Sequence, residues 1–391
     1  LNIENRIEKE AGRVARINVT RSSMPPMEEY FDEVAPLWES RWLTNAGEKH
    51  RELERALAER LKVGNVSLFS NGHSALECAI EALGLGSDGR DEVVTTPYTF
   101  VSTTNAIFRK GLTPVFADVR PEDCTIDPER VEAAITPRTC AIVPVHVYGS
   151  LCDVDAIQEI ADRHGLKVVY DAAHAFGVER LDPASGEWRG AASYGDASML
   201  SFHATKVFNT VEGGAVCCAG PALKTAIEEW RNFGLEGPES DAHPGGNAKM
   251  NEFCAAMGLC NLRHLDEELA KRAAVEEHYR EGLAGIPGLR LLEPQRGVKP
   301  NHAYMPAFFG EAFGADRDEV MAALAERGVG TRRYFFPCTN EAPWVGRVGI
   351  DPGDTPVARR LSREVLTLPL YADLTLEDVD MICEIVRGCA R

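Results

Sequence analysis

The chain predicts an α/β fold in which one large sheet with helical crossovers precedes a smaller α+β domain. Between residues 66 and 171, short β-branched runs alternate with segments of helical period. Such alternation demands largely parallel strands joined by helices that cover both faces of the sheet. After about residue 245 the alternation stops and a long helical stretch takes over. The length of 391 residues, at roughly 150 residues per domain, gives room for two or three units that bury cores without staples.

Taken in order, residues 1–50 read as an arm with a few helical turns, packed on something else. Residues 51–246 form the predicted α/β domain. Val66–Phe69 is a strand, followed by Ser70-Asn71-Gly72 and a helix from about His73 to Leu83. Glu92–Thr96 is a strand, with a helix near Thr99–Arg109. TPVFADV is a strand, DPERVEAAI a helix and Cys140–Val145 a strand. VDAIQEIADRHG is a helix closed by Gly165, a typical residue after a helix end, and Leu166–Asp171 is the next strand. The segment His243–Gly246 (HPGG) marks a domain boundary. Residues 247–391 then form the small domain, with a helix near Asn251–Leu283 that contains Gly258, another near Arg317–Arg327, and a last one near Leu376–Arg387.

Composition excludes several classes. The net charge is −18, and an acidic surface repels phosphate backbones, which argues against a nucleic-acid binder. No apolar run approaches the ~20 residues of a spanning helix. The N-terminus is mixed in charge and lacks the apolar centre of a secretory signal. Eleven cysteines with no CxxC pair disfavour a disulfide framework or a zinc site and predict a reducing cytoplasm. No metal is expected. Gly84-Leu85-Gly86-Ser87-Asp88-Gly89 matches G-x-G-x-x-G but follows a helix and precedes a strand, the reverse of the dinucleotide-binding order. These glycines are expected to end a helix and turn the chain.

The strongest chemical signal is a carboxylate and an amine at two strand ends. Asp171 closes the apolar strand LKVVYD, inside YDAAHAFG. Lys206 lies in SFHATKVFNTVEGG, shortly after the strand-like run DASML. Ligands of open α/β sheets bind outside the carboxyl ends of the strands. Pyridoxal phosphate needs this pair, a lysine for the Schiff base and an acid that keeps the pyridine nitrogen protonated. Taken singly, a surface lysine and an Asp capping the next helix are the ordinary alternatives. Asn71-Gly72-His73-Ser74 opens a helix after a strand, so backbone N–H groups and the helix dipole there suit a phosphate. Ser201 could add a hydroxyl. Phe100, after the second strand, could stack on the ring, or be plain core. His174 could reach the ring hydroxyl, or be a hydrogen-bonded core histidine.

SNGHSALECAI, TTPYTFVSTTNAI, DAAHAFG, SFHATKVFNTVEGG and GGNAKMNEFCAAMGLCNL occur in this order. Together they resemble the motifs of the DegT–StrS nucleotide-sugar aminotransferases, from about Trp42 to the C-terminus. The resemblance implies a fold-type-I (aspartate-aminotransferase-like) enzyme with a large mixed sheet and pyridoxal 5'-phosphate as cofactor. It assigns Lys206 as the Schiff-base lysine, Asp171 as the pyridine partner and His174 as the group on the ring oxygen. Gly72, His73 and Ser201 match phosphate-binding positions, beside Asn71, and Phe100 matches the stacking position. His73 departs from the usual Thr and loses a side-chain hydroxyl. In GGNAKM, Asn247 or Lys249 matches a residue that reaches the cofactor phosphate of a neighbouring subunit, which implies a homodimer with its sites at the interface. Some relatives are dehydratases with His in place of the lysine; Lys206 argues for amino transfer.

The segments Trp42–Glu54, YDAAHAFG and SFHATKVFNTVEGG are most similar to the members that make dTDP-4-amino-4,6-dideoxyglucose. The implied reaction moves an amino group from L-glutamate to C4 of a dTDP-4-keto-6-deoxyhexose, for a glycosylated natural product such as an antibiotic or for a surface glycan. The sugar diphosphate is anionic, so a local basic pocket is needed, with Arg332, Arg333 or Arg41 as candidates and Tyr334 and the residues after it lining the sugar site. Solvated surface arginines are the alternative. Two other readings stand beside this one: a C3 ketosugar aminotransferase, and a non-catalytic regulatory protein on the same scaffold. The intact Lys206–Asp171 pair and the Glu212–Gly214 turn argue against the latter.

Overall fold

The computed structural model describes residues 17–237 and 240–391. The first 16 residues of the expected arm lie outside the described residues. Seven strands form the large sheet: β1 (Val66–Phe69), β2 (Glu92–Thr95), β3 (Thr113–Phe116), β4 (Thr139–Val143), β5 (Lys167–Asp171), β6 (Ala197–Ser201) and β7 (Gly214–Cys218). Their spatial order is β1-β7-β6-β5-β4-β2-β3. The neighbours β2–β3, β2–β4, β4–β5 and β5–β6 are parallel, as the strand–helix alternation requires. The sheet is mixed because β7 inserts antiparallel to both β1 and β6. Glycine permits that insertion: a Cβ on Gly214 would lie 2.7 Å from the backbone N of Gly72.

The crossover helices form where the periodicity places them, within one or two residues. Val154–His164 ends at Gly165 with φ 60, the left-handed conformation that glycine adopts freely. The helix expected from Thr99 starts at Val101, because Phe100 is extended and caps it. Gly84, Gly86 and Gly89 all have positive φ and sit between the helix Gly72–Ala82 and β2, as a chain-turning segment does. Both faces of the sheet are dry. Leu68, Val94, Ile142, Val168, Tyr170 and Leu200 point to one core cluster, and Phe69, Val93, Ala141, Val143, Val169 and Met199 to the other. This alternation is the two-residue period of strands buried on both sides.

The small antiparallel sheet consists of β8 (Leu289–Leu291), β9 (Met305–Phe309) and β10 (Val365–Leu368), in that order. Helices Arg317–Glu326 and Leu376–Cys389 pack against it through Val320, Leu324, Val379, Ile382 and Val386. The 31-residue helix Glu252–Gly282, roughly 46 Å long at 1.5 Å per residue, ties the two cores together. Ala255, Leu259 and Leu265 enter the large core, while Val275 and Tyr279 enter the small one. Gly258 lets this helix approach the helix Glu48–Leu61, since a Cβ there would come within 2.8 Å of Leu53 and Thr210. The described part of the arm divides its contacts. Ile17 bridges to Val329 of the small domain. Val34 and Leu37 pack on Ala256 of the long helix. No helix among the described residues is long and apolar enough to cross a membrane.

Candidate active site

The carboxyl ends of β1, β5 and β6 open on one cavity of about 390 Å³, within the range of small-molecule sites. At β1 the chain leaves the sheet and Asn71 caps the next helix, its side chain accepting the Ser74 N–H at 2.8 Å. The N–H groups of Gly72 and His73, in the first turn, have no intrahelical partner and are aimed out of the helix start. Gly72 packs on the end of β6, where an added Cβ would meet Ser201 Cβ at 3.0 Å. The His73 side chain turns aside: Nδ1 bonds Ser102 Oγ at 2.9 Å and Nε2 lies 3.4 Å from Glu77. What His73 offers the cavity at that turn is its backbone.

Asp171 ends β5 and is buried, at 4% exposure. Its Oδ2 accepts from Thr103 Oγ at 2.7 Å and its Oδ1 from the Ala173 N–H at 3.1 Å. Burial pushes the carboxyl above its ordinary range, while those two bonds and the charges of Lys206 and His73 pull it back. A buried acid of this kind is poised for a cationic partner. His174, three residues on, is also buried. The Tyr148 N–H donates to its Nδ1 at 3.1 Å, which assigns the remaining proton of the neutral ring to Nε2. Burial, and then the Lys206 charge, hold the ring well below the usual histidine range, so it is neutral.

Ser201 ends β6. Five residues later Lys206 follows a tight turn closed by its own N–H on the His203 carbonyl at 2.8 Å. Lys206 Nζ donates to Tyr304 Oη at 3.2 Å. β5 and β6 are paired neighbours, so the amine and the carboxylate enter the cavity from adjacent strand ends. Phe100 stands at its rim, 55% exposed.

Nine residues singled out from the sequence line this one cavity: Asn71, Gly72, His73, Phe100, Asp171, His174, Ser201, Lys206 and Tyr334. Four do not. Arg41 is exposed, in the left-handed conformation after the helix Leu37–Ser40. Arg332 is exposed, and its backbone bridges to Thr367. Asn247 bridges to Asn232, and Lys249 Nζ bonds Asn232 Oδ1 at 2.7 Å. Arg333, the further arginine considered, is bound to Asp318 at 3.0 Å. Sequence reasoning missed Thr103 and Tyr304. Thr103 lies three residues after Phe100, a spacing that could have revealed it. Tyr304 comes from the small domain, and no local pattern marks it. Phe335, one of the residues after Tyr334 expected at the sugar site, does line the cavity. Phe335 stacks on His174 with centroids 5.6 Å apart and planes 2° apart.

The chain resembles proteins of known chemistry over nearly its whole length. A transaminase of Shigella dysenteriae named for dTDP-4-amino-4,6-dideoxy-D-glucose is 41% identical over 371 residues, covering 95% of this chain and 98% of the relative. The crystal structure of DesI, solved in the presence of its TDP-sugar product, superposes with a TM-score of 0.88 at 36% identity and covers 97% of this chain and 95% of DesI. The Streptococcus pneumoniae protein Spr1654, solved in its PLP form, superposes with a TM-score of 0.85 at 25% identity and covers 94% of this chain and 98% of that one. Residues 26–387 match the model of the DegT/DnrJ/EryC1/StrS aminotransferase family. The amine and the buried acid at neighbouring strand ends thus lie in a chain that belongs to this family of aminotransferases.

Proposed function

We propose that the protein binds pyridoxal 5'-phosphate and transfers an amino group from L-glutamate to C4 of a dTDP-4-keto-6-deoxyhexose, giving dTDP-4-amino-4,6-dideoxy-D-glucose. One observation carries the reading: Lys206 and the buried Asp171 share a cavity whose far end is an open helix N-terminus. The donor set fits the cofactor. The Gly72 and His73 N–H groups and the Ser201 hydroxyl suit a phosphate. Asp171 suits a protonated pyridine nitrogen, the His174 Nε2–H a ring oxygen, and Phe100 a ring face. The name of the Shigella relative and the TDP-sugar in DesI support the sugar nucleotide.

Pyridoxal phosphate, when bound, supplies the electron sink that lets a carbon beside an amine lose a proton. The protein does the rest. Lys206 would hold the cofactor through its amine, and the free amine would take up and deliver the proton that moves in each half-reaction. Asp171 would face the pyridine nitrogen, and its bonds to Thr103 and Ala173 fix its orientation. Donor and acceptor use the same cavity in turn, so the kinetics are ping-pong. Asn247 and Lys249 lie outside their own chain's cavity. The exposed Met24, Met27, Phe31, Trp38 and Trp42 supply an apolar surface on the arm. Both features fit a homodimer in which a neighbour completes each site.

Incubation with pyridoxal phosphate, L-glutamate and the 4-ketosugar, followed by NMR of the product, tests the reading. A new amine at C4 is expected. An amine formed only from the 3-ketosugar overturns the regiochemistry. Lys206→Ala is expected to lose both turnover and the visible absorption of the bound cofactor.

A further inference from the structure

A side-chain contact joins the two walls of the cavity at the amine. Lys206 Nζ bonds Tyr304 Oη at 3.2 Å and lies 5.8 Å from the ring centroid. Tyr304 belongs to the small domain and immediately precedes β9. Three aromatic neighbours box its ring. His174 lies 4.8 Å away, Tyr148 at 5.8 Å and Tyr334 at 6.2 Å, centroid to centroid. A ring held on three sides keeps its hydroxyl in one place, whereas the lysine amine rides on a flexible four-carbon stem.

The alternatives for holding that amine are weaker. His174 has already accepted the Tyr148 N–H at Nδ1, so Nε2 is left as a donor only. Asp171 is oriented by Thr103 and Ala173, and on the reading above its remaining acceptor capacity serves the pyridine nitrogen rather than the amine. A phenol hydroxyl both donates and accepts. It can bond Nζ whether the amine is charged or neutral, and the amine takes both forms during amino transfer. We infer that Tyr304 is a positioning residue for Lys206, whose hydroxyl parks the free amine while a substrate amine has taken its place. The inference rests on the reading of Lys206 given above and adds a small-domain residue to it.

The test is competitive acylation of the full chain freed of cofactor. A trace of acetic anhydride is applied from pH 7 to 11, and the rate at Lys206 is read by peptide mass spectrometry against Lys299, which is not in the cavity lining and pairs with Glu179 at 3.2 Å. Lys206 of the wild type is expected to label more slowly than Lys299. In Tyr304→Phe its rate should rise about three- to tenfold, the ratio that a single hydrogen bond supports. Tyr148→Phe removes a nearby hydroxyl that does not touch Lys206 and should leave its rate unchanged. In the holoenzyme, Tyr304→Phe should lower kcat more than it raises KM for glutamate, with a displaced pH profile. Equal Lys206 rates in wild type and Tyr304→Phe overturn the inference. Should Tyr304→Phe fail to fold, Tyr304→Leu is labelled in its place, and a Lys206 rate equal to that of the wild type overturns the inference. If wild type with pyridoxal phosphate and glutamate shows no spectral change, the transaminase reading fails, while the labelling still decides whether Tyr304 holds the amine.

Discussion

The wall of the cavity built by the large sheet carries its polar atoms on short, local tethers. Asn71, Asp171 and Ser201 each sit at or just beyond a strand end, fixed by a cap, a backbone N–H or a neighbouring glycine. The opposite wall, from the small domain, presents the rings of Tyr304, Tyr334 and Phe335. These rings are held by other rings rather than by the backbone. The difference separates two tasks. Charge at the reacting centre needs rigid, desolvated groups whose position is set by the sheet. On the proposed reaction this wall admits first an amino acid and then a sugar, and flat, uncharged surfaces suit both.

The sharpest test of this contrast removes charge from the sheet wall. Asp171→Asn should cut turnover on the order of 10²-fold or more, whereas Phe335→Leu should cost far less. Asp171→Asn should also raise the melting temperature of the cofactor-free chain at pH 8. The folded-state pKa of Asp171 lies above its ordinary value of 3.8, so the folded chain binds the extra proton and loses stability as pH rises through that window. The advantage of Asn should therefore shrink in acid. An Asn variant that is less stable at pH 8 would show that the Thr103 and Ala173 bonds outweigh the burial cost.

Next in size is Gly214→Ala. Its Cβ would lie 2.7 Å from the backbone of Gly72, and backbone cannot step aside. Overpacking of this kind costs about 1–3 kcal/mol and should loosen the phosphate end, read as a weaker pyridoxal phosphate affinity and a lower melting temperature. Unchanged affinity would mean that the helix start does not hold the phosphate.

A pH effect follows below the sheet wall. His146 is buried, stacks on Tyr170 with centroids 4.6 Å apart, and is pushed down to about 3 by burial. The unfolded chain takes up a proton near pH 6.5 that the folded chain refuses, so stability falls as pH drops from 6.5 towards 3. His146→Gln should flatten that limb in acid-unfolding curves; an unaltered slope would assign it to other groups. The smallest effect is Glu77→Gln. Glu77 is held down to about 2, first by its bond to His73 and then by Arg109 against the opposing effect of burial. Its contribution is present above pH 4.5 and lost as pH falls towards 2. The substitution should cost about 1 kcal/mol at pH 7, measured by denaturant unfolding, with little change in turnover.

The sheet wall was legible because its signals are local. A strand followed by Asn71-Gly72 announces a capped helix start, and YDAAHAFG announces an acid at a strand end. The insertion of β7 depends on the fit of Gly214 against Gly72, a contact between segments far apart in sequence. Tyr304 was not legible, since an aromatic residue in a small domain reads as core until the domains are docked; Phe335 was legible only as a neighbour of Tyr334 in TRRYFF. The basic candidates show the same limit from the other side. Arg41 and Arg332 have suitable chemistry, but backbone geometry leaves both outside the cavity of their own chain.

By itself, the sequence determined the alternating elements, the placement of Asp171 at a strand end and of Lys206 shortly after one, and the helix start that follows β1. Periodicity, capping and strand termination act over a few residues and need no partner. Only the tertiary structure decided that Asp171 leans on Thr103, that Lys206 meets Tyr304 and that His174 stacks on Phe335. The first contact needs the large sheet assembled, and the other two arise when two separate cores are locked together by the helix Glu252–Gly282; no short stretch of chain contains the distance between them.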